Sequence, residues 1–84
     1  MVKVLIVDDD TAMRDGLAET VGDLGHEPHA AASGREALAI FAGGNFDCVL
    51  LDLRMPGGMD GMEVLRRIRA QQNASPVIVL PAVE

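Results

Sequence analysis

Two clusters of acids stand out for their spacing. Asp8-Asp9-Asp10 closes the apolar run Val4-Leu5-Ile6-Val7, and Asp52 closes a second one, Val49-Leu50-Leu51. Runs of this kind, rich in β-branched residues and leucine, are those of buried strands, and an acid directly after each marks the polar rim of a sheet. If the two strands are neighbours, three or four carboxylates meet in one crevice. Their mutual repulsion must then be relieved by a proton or a bound cation. An all-oxygen ligand set suits a hard ion, and magnesium binds through one or two carboxylates together with waters and a phosphate. A plainer reading competes for Asp10, since an acid after a strand is also a natural helix cap. That reading does not serve Asp52, which has no helix start directly after it.

The elements that must position these acids follow from periodicity. Met13, Leu17, Val21 and Leu24 are spaced by four, four and three, which predicts a helix capped by Asp10 or Thr11 and ended by Gly25. Glu27–Ala32 is a weak strand containing Pro28, so it belongs at a sheet edge. Ser33-Gly34-Arg35-Glu36 is a capping box opening a helix with Ala37, Leu38 and Phe41 inward, which Gly43 and Gly44 end. The strand Asp47–Asp52 and a loop through Met55-Pro56-Gly57-Gly58 come next. Asp60 and Glu63 form another cap-and-box pair, ahead of a helix with Val64, Leu65 and Ile68 inward and Arg66, Arg67 and Arg69 toward its C-terminus. Pro76–Leu80 is the last strand. Strands and helices thus alternate throughout, implying an α/β fold with a parallel sheet, right-handed crossovers and helices on both faces. In such sheets ligands bind beyond the carboxyl ends of the strands, where both acid clusters fall.

Composition narrows the function. The 84 residues allow one domain, and a formal net charge of −6 with no Trp or Tyr argues against direct nucleic-acid binding and against an anionic membrane surface. The lone Cys48 cannot form an internal disulfide and is expected in the core, and no run has transmembrane length, so a cytoplasmic protein is expected. His26 and His29 flank the edge strand away from the acids and read as surface residues. Asp8-Asp9-Asp10-Thr11 faintly imitates the Asp-x-Asp motif of haloacid-dehalogenase-like phosphatases, but the later acids and cap insertions of such enzymes are missing. No glycine-rich turn follows the first strand, which disfavours a nucleotide-binding domain.

Taken together, Val4-Leu5-Ile6-Val7-Asp8-Asp9-Asp10, Val49-Leu50-Leu51-Asp52-Leu53-Arg54-Met55-Pro56 and Met59-Asp60-Gly61 resemble the three main signatures of response-regulator receiver domains, from Lys3 to Leu80. The second, with the helix after it, is especially similar to receivers of nitrogen-regulator-type activators. The resemblance implies a flavodoxin-like sheet of order 2-1-3-4 over residues 1–84, truncated after the fourth strand and lacking the family's fourth helix, fifth strand and fifth helix. It implies a non-enzymatic module whose Asp52 accepts a phosphoryl group from a histidine kinase, with Mg2+ as cofactor. Asp9 and Asp52 match the direct metal ligands, Arg54 the backbone carbonyl ligand, and Asp8 the acid acting through water. Two positions depart from the pattern. Pro81 stands where receivers carry a Thr or Ser, which leaves the N–H of Ala82 to reach the phosphoryl group, and the family's later lysine is missing. These departures favour, as the alternative, a pseudo-receiver that binds a partner without phosphoryl switching. They also lead to the expectation that phosphorylation alters the structure little. Finally, without a fifth strand the apolar run Val77-Ile78-Val79-Leu80 becomes an unprotected edge, and a homodimer or segment exchange through it is expected.

Overall fold

The structure is a computed structural model that describes residues 1–55, 59–71 and 76–80, with residues 79 and 80 described by their backbone. Its elements, in chain order, are β1 (Lys3–Val7), α1 (Thr11–Asp23), β2 (Glu27–Ala31), α2 (Gly34–Gly43), β3 (Cys48–Asp52), α3 (Gly61–Ala70) and β4 (Val77–Leu80). The strands form one sheet, parallel as the alternation predicts and in the order β2-β1-β3-β4 that the receiver resemblance implies. Pro28 lies on β2, whose one partner is β1, so its missing N–H leaves no gap between two strands.

Strand alternation divides the core in two. Leu5, Val7, Ala31, Val49 and Leu51 face α2 and α3, where they meet Ala37, Phe41, Phe46, Val64 and Ile68. Val4 and Ile6 face α1 and pack with Val21, joined by the partly buried Leu17, Ala18, Cys48 and Leu50. Among the described residues a single helix lies on the second face, which is therefore only half covered.

The capping expectations hold at the helix starts. Asp10 Oδ1 accepts from Met13 N–H at 3.1 Å, Ser33 Oγ from Glu36 N–H at 3.1 Å and Asp60 Oδ1 from Glu63 N–H at 2.9 Å. The return halves of the boxes differ. Glu36 reaches back to Ala32 N–H, whereas Glu63 turns along its helix to Arg66 and Arg67, both at 2.8 Å. Those two charged partners hold the Glu63 carboxyl below its ordinary range.

The stripe expected on α1 is buried only in its middle. Met13 and Leu24 stay exposed, because one sits in the first turn beyond the strand ends and the other is the non-helical cap residue after the last turn. Gly25 then leaves the helix at φ +87°, a conformation that costs other residues about 1 kcal/mol. Cys48, expected in the core, is only partly buried on the half-covered face, although burial still pushes its thiol above the ordinary value. The histidines do lie apart from the acids. His26 Nδ1 accepts from Val2 N–H at 3.0 Å, and His29 pairs with Glu27 and meets the edge of the Phe46 ring.

Candidate functional site

The crevice is a consequence of β1 and β3 being neighbours. Val7 pairs with Leu51, so the residues that follow each strand emerge side by side at the carboxyl end of the sheet. Asp8, Asp9 and Asp52 each bring a carboxylate oxygen there, and these oxygens lie within 4.8 Å of one another. Asp10 does not join them, because its side chain caps α1, so the plainer of its two readings is the right one.

The three acids differ in environment. Asp8 is buried, at 4% exposure, Asp52 is half-buried and Asp9 is exposed. Two backbone amides orient the pair. Asp10 N–H donates to Asp8 Oδ1 and Arg54 N–H to Asp52 Oδ1, each at 2.9 Å. Burial pushes the Asp8 carboxyl above the ordinary range. The Asp10 N–H opposes that rise, while the charge of Asp52, a hydrogen bond shared with it and the charge of Asp9 add to it.

That electrostatic conflict is the observation that tests a metal here. Three convergent carboxylates, one of them held above its ordinary range first by burial and then by the charge of its neighbours, form a hard oxygen donor set, and a magnesium ion fits such a set. The Arg54 amide is held against Asp52, which fixes the start of the loop that carries the Arg54 carbonyl. Pro81 and Ala82 lie outside the described residues.

Two further contributors had no role assigned from the sequence. Arg14, on α1, donates from Nη1 to the Asp8 carbonyl at 2.9 Å, and Arg35 or Arg69 would have looked no different from it. Gly61, the first residue of α3, lies against the backbone behind Asp52. A Cβ there would stand 2.5 Å from Leu53 Cα and 2.6 Å from the Asp52 carbonyl oxygen. The motif Met59-Asp60-Gly61 marks this glycine without revealing why it is one.

Comparison with known proteins agrees with the geometry. The family model described as the response regulator receiver domain matches residues 4–84. The transcriptional regulatory protein TcrA of Mycobacterium tuberculosis is 41% identical over 81 residues, covering 96% of this chain and 32% of that protein. The regulatory protein AtoC of Escherichia coli is 41% identical over 80 residues, or 95% of this chain and 17% of that protein. The chain thus spans about a third or less of the length of these curated relatives. Among solved structures, the response regulator TrrA of Thermotoga maritima, determined in complex with Mg2+-BeF, superposes with a TM-score of 0.92 at 39% identity, over 100% of this chain and 72% of that one. The chemotaxis protein CheY4 of Vibrio cholerae gives 0.89 at 38% identity, over 94% and 67%. Equal identity to TcrA and AtoC means that the similarity does not single out the nitrogen-regulator-type subgroup suggested by the second motif. Among the described residues no helix is long and apolar enough to cross a membrane.

Proposed function

The chain belongs to the response regulator receiver domain family, a family of signalling modules, and from that premise we propose that Asp52 accepts a phosphoryl group from the phosphohistidine of a histidine kinase. The observation that carries this reading is the convergence of Asp8, Asp9 and Asp52 at the carboxyl end of β1 and β3. A carboxylate approaching a phosphoryl group meets like charge, so the acceptor needs a fixed direction and a neutralised surrounding. The Arg54 N–H fixes the Asp52 carboxylate by its Oδ1. An Asp52 oxygen then bonds to phosphorus as the phosphorus–nitrogen bond to the histidine breaks, and the electron pair leaves on the imidazole. The product is an acyl phosphate on Asp52, which water later hydrolyses.

Asp9 and Asp52 are the residues that would hold magnesium directly, with the Arg54 carbonyl as a third ligand and Asp8 acting through water. Bound there, the ion screens the repulsion between nucleophile and phosphoryl oxygens. The Ala82 N–H is assigned to the phosphoryl oxygens, and the reading places the protein in the cytoplasm. Incubation with acetyl phosphate and magnesium is expected to add one phosphate to the intact mass, and Asp52→Asn to abolish it. Equal labelling of the Asn variant would transfer the acceptor role elsewhere.

A second reading concerns a partner. Among the described residues β4 pairs with β3 alone, and Ile78 is 50% exposed beside the partly exposed Leu50 on the half-covered face. The strand carries no charge, and its open edge invites pairing with a second copy across a two-fold axis. Sedimentation equilibrium at micromolar concentration is expected to show a dimer and Ile78→Lys a monomer. A folded monomer for both would dismiss this pairing.

A further inference from the structure

We propose that Arg14 is a positioning residue for the acidic crevice, holding the Asp8 carbonyl so that the Asp8 and Asp9 carboxylates stay convergent with Asp52. The inference rests on the reading of that crevice as a magnesium site and adds a residue to it. Asp8 makes the last rung of β1 on β2, its N–H donating to the Ala31 carbonyl at 3.2 Å. Past that rung the chain must turn within two residues into α1, and the direction of both acids depends on the turn. Arg14 closes it. Nη1 donates to the Asp8 carbonyl at 2.9 Å and Nη2 to Thr11 Oγ1 at 3.4 Å, so one planar fork ties the strand end to the first residue of the helix. From the other side, the Asp10 N–H holds Asp8 Oδ1, and Asp10 is itself locked as the helix cap. Asp8 is therefore gripped by its carbonyl and its carboxyl, and Asp9 sits between two fixed neighbours.

Two effects of Arg14 on a bound cation have opposite signs, which makes the inference testable. As a positive charge, the guanidinium repels magnesium, so its removal should tighten binding. The effect is small, because Arg14 is half-exposed and its charge is screened. As a support of ligand positions, its removal should loosen binding, and lost supports of this kind typically weaken metal affinity by about 10–100-fold. The second effect dominates. Arg14→Met is expected to raise the magnesium dissociation constant about tenfold, toward the lower end of that range because the contact is to backbone. Arg14→Lys keeps the charge but not the fork, so any loosening it shows comes from the lost geometry, and a smaller rise is expected.

The measurement is a magnesium chloride titration of the wild type and both variants, followed by the backbone amide NMR shifts of Asp9 and Asp52. Thermal unfolding of each protein without magnesium is recorded alongside. Loosened binding in Arg14→Met, with partial recovery in Arg14→Lys, supports the assignment. If Arg14→Met does not fold, looser binding by Arg14→Lys than by the wild type supports it and equal binding overturns it. Affinity in Arg14→Met equal to or tighter than that of the wild type overturns it, and a lowered thermal midpoint with unchanged affinity makes Arg14 a purely structural residue. A wild type with no magnesium-dependent shift overturns the site reading and this inference together, whereas a wild type that binds beside an equally binding Arg14→Met overturns this inference alone.

Discussion

Gly61→Ala is expected to lower the thermal midpoint by about 10–20 °C, from a stability loss of about 2–3 kcal/mol in a domain of this size. The new methyl would meet Leu53 Cα at 2.5 Å, the Asp52 carbonyl oxygen at 2.6 Å and Leu53 Cδ2 at 3.0 Å. Two of these three atoms belong to the backbone, which cannot rotate away as a side-chain tip can. Relief therefore requires α3 to shift outward from β3, opening the contacts of Val64 and Ile68, both fully buried. Gly16, in the middle of α1, is the matched control. A Cβ there meets nothing within 4 Å, so Gly16→Ala should raise stability by about 0.5–1 kcal/mol through helix propensity. Urea or thermal unfolding of the two variants reads both effects. Equal stability for Gly61→Ala and the wild type would mean that α3 does not press on the Asp52 strand end.

Asp8→Asn is expected to stabilise the metal-free protein by about 1 kcal/mol at neutral pH, raising its midpoint by about 4–8 °C. The carboxyl of Asp8 lies above its ordinary value because it is buried and flanked by Asp52 and Asp9. A carboxyl whose pKa is raised on folding contributes stability at low pH that is lost as pH rises through the folded value. The metal-free wild type should accordingly lose this contribution as pH climbs from the ordinary carboxylate range, near about 4, past the raised value. The Asn variant carries no such charge, and its Oδ1 can still accept from the Asp10 N–H. Its advantage over the wild type should therefore grow with pH and level off once Asp8 is ionised. Magnesium should reverse the order, because a ligand that binds the folded state stabilises it in proportion to its affinity and the variant has lost part of its ligand set. Thermal unfolding across pH, with and without magnesium chloride, checks both signs. A pH-independent difference, or equal stabilisation of the two proteins by magnesium, would show that Asp8 neither strains the crevice nor serves the ion.

Both variants probe what the amino-acid pattern left open. Local information carried the elements: the continuous apolar runs Val4–Val7 and Val49–Leu51, the caps Asp10, Ser33 and Asp60, and Pro28 at the sheet edge all appear where the sequence places them. These features are legible because each depends on residues within a turn or a rung of one another. The convergence of Asp8 and Asp9 with Asp52 was legible only conditionally, since it required β1 and β3 to be neighbours. Strand order is a long-range choice, and it was implied by the family resemblance of the motifs, not by any local signal.

Other properties were decided by tertiary structure alone. The same carboxyl group is a cap at Asp10 and a crowded site acid at Asp8, because one faces the free amides of α1 and the other is enclosed with Asp52. Periodicity placed Met13 and Leu24 on the buried face of α1, yet a helix longer than the strands it covers leaves its ends in solvent. Arg14 carried no local signal, and the motif around Gly61 marked that glycine without its reason. The role of Arg14 rests on a carbonyl at the end of a strand, and that of Gly61 on another strand's backbone lying where its side chain would be. Which acids, arginines and glycines matter was therefore set by what the folded chain brings within about 3 Å of them, the range over which hydrogen bonds and steric contact act.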